Sequence, residues 1–243
     1  MNTEEYGRMF GLEDSYWWFL GRHHLVETFL DLTYPGRSDL TILDIGCGTG
    51  AMSRKLERWG TVVSADFSTL ALEFCARRDL RRRCVADAMR LPFASASFDA
   101  IVALDLLEHL PDDATALAEF IRVLKPGGRL LASVPAYQSL WSGHDEALMH
   151  FRRYLAKEVR GRLAVAGFAL DRLSYAMSAL YPIFWAVRRL GRRKSNPSAG
   201  LVPVPRAVNR ALTGLLQWEN RLIRRISLPF GASVFCVARR PVA

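Results

Sequence analysis

Four acids close short apolar runs in this chain: Asp44 within Leu43-Asp44-Ile45-Gly46-Cys47-Gly48-Thr49-Gly50, Asp66 after 62–65, Asp87 after 84–86 and Asp105 after 98–104. Carboxylates so placed can accept hydroxyls or hold a cation. Glycine takes positive φ and carries no Cβ, so Gly46, Gly48 and Gly50 let a ligand touch the backbone. Two further segments offer imidazoles able to take up a proton. Asp105-Leu106-Leu107-Glu108-His109 is one, and Trp141-Ser142-Gly143-His144-Asp145 continuing through His150-Phe151-Arg152-Arg153-Tyr154 is the other. His109, His144 and Tyr154 are the catalytic candidates, and Trp141, Asp145, His150, Arg152 and Arg153 are candidates to orient a polar substrate.

These residues need a frame that presents them together. Residues 41–43 read as a buried strand and 51–56 as a helix, so the glycines occupy a strand-to-helix crossover. Asp66 lies 22 positions after Asp44, near the distance at which a doubly wound fold places a ribose-binding carboxylate, and Phe67 beside it could cover an adenine face. All four acids then sit on the rim where open α/β sheets bind ligands. Strands six and seven are expected at 168–175 and 233–238, and a helix at 157–166.

At this point the chain resembles the class I S-adenosylmethionine-dependent methyltransferases. Asp44 to Gly50 looks like their first motif, with Cys47 inside it, Asp66 like their ribose acid, and Asp87-Ala88 like their adenine-edge motif. Arg122-Val123-Leu124-Lys125-Pro126-Gly127-Gly128-Arg129-Leu130 looks like their turn into strand five. The resemblance implies an α/β, doubly wound, Rossmann-like sheet of seven mostly parallel strands with one antiparallel. It also implies S-adenosyl-L-methionine as cofactor and S-adenosyl-L-homocysteine as product, with Leu104 and Asp105 at the cofactor. In similar methyltransferases an N-terminal helix covers the cofactor, which makes Arg22 the candidate for the methionyl carboxylate and places Trp18 near the substrate. A dinucleotide is the rival ligand, because Gly46, Gly48 and Ala51 also satisfy G-x-G-x-x-A. Asp44 argues against it, since a carboxylate there suits a cationic amino-acid end and repels a pyrophosphate.

Asp105, Glu108 and His109 resemble the metal-binding acids and histidine of ubiquinone-pathway O-methyltransferases, and could hold a divalent cation if all faced the cleft. Leu-Glu-His is also widespread in the family without metal, so a metal-free site is expected. Methyl transfer from a sulfonium asks mainly for geometry and, at a hydroxyl acceptor, removal of a proton.

The 243 residues, half of them hydrophobic, suit one domain with appendages. The parts are N-terminal covering helices (1–38), a core (39–175), a helical basic insertion (176–230) and a last strand and tail (231–243). Cys47, Cys75, Cys84 and Cys236 form no CxxC pair, which favours thiols in a reducing cytoplasm, and residues 1–5 lack the basic and apolar parts of a signal peptide. The net charge of +9 belongs to the tail, where twelve Lys and Arg from residue 181 onward face one acid, Glu219. They include Arg188, Arg189, Arg192, Arg193 and Lys194, followed by a Pro/Gly/Ser-rich stretch at 195–205. Residues 173–187 carry no charge but are too few, and broken by Pro182, to span a bilayer.

Residues 206–228 read as a basic amphipathic helix with Val208, Ala211, Leu212, Leu215, Trp218, Leu222 and Ile226 on its apolar stripe. It suits an anionic membrane interface, or a cover on the sheet or on a second subunit. The expected function is methyl transfer to a small or lipid-like acceptor at oxygen, with peripheral contact at the inner face of the membrane. An RNA or protein methyltransferase using the basic C-terminal region and a non-catalytic S-adenosylmethionine-binding module are the alternatives. Nucleic acid is disfavoured because no Asn/Asp-Pro-Pro-Tyr turn follows strand four and no RNA-binding module is visible.

Overall fold

The structure is a computed structural model that describes residues 3–191 and 204–242, with side chains over 5–186 and 204–242. The basic cluster Arg192, Arg193 and Lys194, residues 195–203 and the side chains of Arg188 and Arg189 lie outside the described residues.

Seven strands form one sheet: β1 (Leu40–Ile45), β2 (Gly60–Asp66), β3 (Arg83–Val85), β4 (Phe98–Leu104), β5 (Leu124–Pro135), β6 (Ala169–Ala176) and β7 (Ser233–Arg239), in the order β3-β2-β1-β4-β5-β7-β6. Neighbouring pairs are parallel from β3 to β5, and β7 runs antiparallel to both β5 and β6. The expected doubly wound sheet with one antiparallel strand is therefore present. β1 and β4 are apolar runs because both their faces are covered, as parallel strands require. The parallel register pairs Asp44 with Ser64 of β2 and with Val102 of β4, so the carboxyl ends of the strands share one edge.

Helices cover both faces. On one, α5 (Asp113–Val123) and α7 (Ala156–Val165) bring Leu117, Phe120 and Leu163 against Ile45, Ile101 and Leu130. On the other, α2 (Trp17–Thr33), α3 (Ala51–Leu56) and α9 (Arg206–Ile223) bring Leu30, Leu56 and Ile223 against Ile42, Val102 and Phe235. The remaining helices are α1 (Thr3–Leu12), α4 (Thr69–Arg77), α6 (Gly143–Ala147) and α8 (Tyr181–Gly191). Asp112 caps α5 by accepting from the backbone N–H groups of Ala114 and Thr115, both at 3.1 Å. The four cysteines are free thiols.

The segment between β6 and β7 holds α8 and α9. The helix expected through residue 228 ends at Ile223, after which Leu228 donates its N–H to Ser174 Oγ at 2.9 Å and bridges to Tyr175. α9 is not buried along its apolar stripe. Leu216, Glu219, Asn220 and Ile223 face inward, while Val208 and Trp218 stay exposed. Asn220 Nδ2 donates to the carbonyl of Gly21 on α2 at 2.8 Å, so the two helices touch backbone to side chain.

That approach needs a residue without a side chain at position 21. A Cβ there would stand 2.9 Å from Cβ of Leu216. Gly21→Ala should therefore lower stability by about 1–2 kcal/mol despite alanine's better helix propensity, because overpacking outweighs it. Thermal denaturation of Gly21→Ala, Leu216→Ala and the double variant should show the pair costing less than the two single changes added together.

Candidate functional site

The glycine turn is pinned to β2. Gly46 and Cys47 both donate their N–H to the carbonyl of Ala65, at 2.8 and 3.1 Å, and Gly46, Gly48 and Gly50 have φ of 71°, 55° and 86°. Glycine is required there because other residues pay for positive φ. Asp66 accepts from the backbone N–H of Gly48 at 3.0 Å and of Ser68 at 2.9 Å, which holds the turn open beside the end of β2. Buried Asp44 accepts from Ser53 Oγ at 2.6 Å. Burial pushes the Asp44 carboxyl up to about 7, with Ser53 opposing, and burial also raises Asp66. Asp87 accepts from Met89 N–H at 2.8 Å, Ala88 is buried, and Phe67 is 78% exposed beside Asp66.

The first helix covers this turn. A Cβ on Gly48 would lie 2.7 Å from Cε of Met9, and just beyond α1 the buried Glu13 accepts from Thr49 Oγ1. Arg78 reaches over, donating to the carbonyl of Thr49 at 2.8 Å and to Asp14 at 2.6 Å. Glu13 was not a sequence candidate. Its only signal is an acid standing between two helices, which spacing alone does not connect to the glycines.

At the end of β4, Arg22 Nη1 donates to Asp105, which also accepts from Ser133 Oγ of β5 at 2.9 Å. The Arg22 guanidinium lies 4.4 Å over the Trp18 ring, and its buried Nε has no partner among the described residues. Asp105 has φ of 50°, a left-handed conformation that aspartate adopts at a cost and that the two side-chain bonds maintain. Leu104 is half-buried just before it.

One turn further on, Glu108, His109 and His150 converge. His109 and His150 meet edge to face with ring centroids 4.6 Å apart, and Phe151 donates its N–H to the carbonyl of Glu108 at 2.8 Å. The Glu108 side chain is wholly buried and neither carboxylate oxygen has a partner among the described residues. Burial, then the nearby Asp105, pushes its carboxyl well up, while burial and His150 push His109 down to about 4. His109 is thus neutral at physiological pH. Trp141 and His144 are half-buried nearby in sequence, but the imidazole brought to Glu108 and His109 is that of His150.

Several residues read as catalytic or substrate-facing are framework instead. Tyr154 is 2% exposed, packed in the core between β5, α5 and α7, with its hydroxyl 2.7 Å from Asp113 Oδ2 and 3.1 Å from the carbonyl of Leu107. Burial and the Asp113 carboxylate push its phenol far up, so it is no base. Arg153 is buried, donating to Asp145 at 2.7 Å and to the carbonyl of Ala136 at 3.0 Å. Arg152 is spent on the carbonyl of Pro111 at 2.8 Å and on Asp113. Asp145 is wholly buried. Burial alone would raise its carboxyl, but hydrogen bonds from His150 and Arg153 outweigh that and hold it low. It positions His150 and does not face a substrate.

A methyltransferase-domain family matches residues 43–132 of the chain. A demethylmenaquinone methyltransferase of Lactiplantibacillus plantarum is 40% identical over 106 residues, covering 39% of this chain and 44% of that protein. A probable S-adenosylmethionine-dependent methyltransferase of Mycolicibacterium smegmatis is 32% identical over 168 residues, 66% of this chain and 63% of that one. The chain thus spans less than two thirds of either relative. Among solved structures, a methyltransferase of Thermotoga maritima described as a possible histamine N-methyltransferase shares the fold, with a TM-score of 0.62 at 18% identity over 98% of this chain and 95% of that one. The glycine turn, the acids at the strand ends and the match over residues 43–132 make this segment similar to methyltransferase domains, and the sheet order and the solved neighbour show the Rossmann-like fold that class I S-adenosylmethionine-dependent methyltransferases share.

Proposed function

We propose that the chain binds S-adenosyl-L-methionine along the carboxyl edge of β1, β2 and β4 and transfers its methyl group to the oxygen of a small or lipid-like acceptor, leaving S-adenosyl-L-homocysteine. The observation that carries this reading is the pairing of an open glycine turn with buried acids that have too few cations. Burial raises the carboxyl pKa of Asp44, Asp66 and Glu13, and Arg22 keeps a buried Nε without a partner among the described residues. An ammonium would relieve the acids and a carboxylate would satisfy Arg22, and a ligand carrying an amino-acid end brings both.

The sulfonium supplies an already activated methyl group. The chain's residues do the rest by position. Asp66 exchanges part of its hold on Gly48 N–H for ribose hydroxyls, Ala88 and Phe67 border the base, and Arg22 links the donor's carboxylate to Asp105. The acceptor's proton leaves toward the rim segment of Glu108, His109 and His150. The quinone named for the demethylmenaquinone methyltransferase relative supports a flat, lipid-like acceptor.

Calorimetry should show S-adenosylmethionine and its demethylated product binding, with Asp66→Ala losing about 1.5–3 kcal/mol of charge-assisted hydrogen bonding. Gly48→Val should abolish tight binding because its side chain would enter the space of Met9 and the ligand. Tight binding of a nicotinamide dinucleotide that ignores Asp66→Ala would reject the assignment. pH adds a second check. In the free protein Asp44 holds its proton up to about 7, and a nearby ammonium favours the ionised form. Affinity should therefore rise with pH through about 7 with proton release on binding, and Asp44→Asn should flatten that dependence.

We infer also that α9 rests on an anionic membrane surface. Among the described residues no helix is long and apolar enough to cross a membrane. Val208 and Trp218 on α9 and Ile226 just beyond its end are exposed, among the exposed Arg206, Arg210, Arg221, Arg224 and Arg225. This pattern suits shallow insertion with arginines at the headgroups. Vesicle sedimentation should show binding that needs anionic lipid, weakens with salt, and drops in Arg221→Glu, Arg224→Glu, Arg225→Glu, each basic residue being worth about 1 kcal/mol near the surface. Indifference to anionic vesicles at low salt would make the exposed stripe a protein contact.

A further inference from the structure

A carboxylate with no exposed surface and no hydrogen bond on either oxygen is costly unless it is protonated or meets a cation. Among the described residues Glu108 is such a group. Its neighbours are metal-ligand types: one ligand atom each from Glu108, His109 and His150 lies within 4.8 Å of the others. The two segments that supply them are clamped by the 2.8 Å bond from Phe151 N–H to the Glu108 carbonyl.

His150 is also oriented from behind. Its Nδ1 lies 3.0 Å from Asp145 Oδ1, and the same oxygen takes Arg153 Nε at 2.7 Å. Nδ1 bonded in this way leaves the Nε2 lone pair for a ligand, which is how an outer carboxylate sets a metal-binding histidine. Asp145 is wholly buried, and through it His150 is fixed against His109 beside Glu108.

We propose that Glu108, His109 and His150 bind one divalent first-row transition cation of the zinc type. Two nitrogen ligands and one carboxylate favour such ions over Mg²⁺ and Ca²⁺, which prefer oxygen. Bonds of about 2.0–2.1 Å set ligand atoms roughly 3.3 Å apart, and with the three atoms already within 4.8 Å of one another side-chain rotation has at most about 1.5 Å to close. Asp105, which sequence spacing groups with Glu108 and His109, is outside the set: Arg22 and Ser133 hold its two oxygens. The third ligand comes instead from a loop 41 positions beyond His109. This site replaces the metal-free expectation and stands apart from the methyl-donor reading. If both hold, the cation favours ionisation of an acceptor hydroxyl, and the proton passes to solvent water because the ligating imidazoles and carboxylate can no longer take it.

The full chain, stripped of metal by chelation, should be titrated with Zn²⁺ by calorimetry and with Co²⁺ by visible absorption. One equivalent should bind with micromolar or tighter affinity. Glu108→Gln and His150→Ala should each weaken binding at least tenfold, and Asp145→Asn roughly 10–100-fold. S-adenosylmethionine binding by the same variants reports that they are folded and separates failure here from failure of the cofactor reading. Absence of saturable Zn²⁺ binding by the unaltered chain overturns the proposal. So does unchanged affinity in Glu108→Gln and His150→Ala, or displacement of Zn²⁺ by an equal concentration of Mg²⁺.

Discussion

Carboxylates gather at the carboxyl edge of the sheet faster than cations arrive to meet them. Glu13, Asp44 and Glu108 are buried and Asp66 is nearly so, and burial raises the pKa of all four. Arg22 and Arg78 reach this edge, and both are already engaged with acids. The parallel part of the sheet creates the situation, because β1 to β4 end on the same rim and each carries an acid within two residues of its end. In a low-dielectric setting such groups stay protonated or wait for a cation, and the second outcome is what perturbed acids in a cleft commonly serve.

The rest of the molecule is arranged around that rim. α2 carries Arg22 to Asp105, and its position depends on α9, which bonds to Gly21 and closes against it through Leu216. α1 lies over the glycine turn, so Met9, Glu13 and Arg78 cover the region where a ligand's backbone contacts must form. α1 packs against α4 through Tyr6 and Phe10 on Phe74. The loop from β5 to α7 is held by a different device, the buried Asp145 that gathers Ser142, His150 and Arg153.

What the amino-acid order made legible is what depends on local chemistry. Glycines at alternate positions after an apolar strand, and an acid at or near the ends of β1 to β4, are short-range patterns whose physical cause survives folding. Tyr154 and Arg153 misled for a definite reason. They follow the rim in sequence, but a parallel bridge between Ala136 and Tyr154 turns the chain inward, so polar groups that looked available are satisfied inside the core. The meeting of His150 with Glu108 was equally hidden, since it depends on a loop closing through Asp145. α9 was read correctly as amphipathic, yet its buried side includes Glu219 and Asn220, which no hydropathy pattern selects, because Glu219 caps Ala179 N–H at 2.9 Å and Asn220 holds α2.

The account stands or falls on whether this acid-rich rim moves a methyl group. S-adenosylmethionine carrying a ¹³C methyl should be incubated with the full chain and a reduced quinol acceptor, followed by mass spectrometry of both products. The account predicts equal amounts of S-adenosylhomocysteine and acceptor bearing the label on oxygen, formed only when the protein is present. Tight binding of the donor with neither product formed, across quinol and other hydroxyl acceptors, would contradict it.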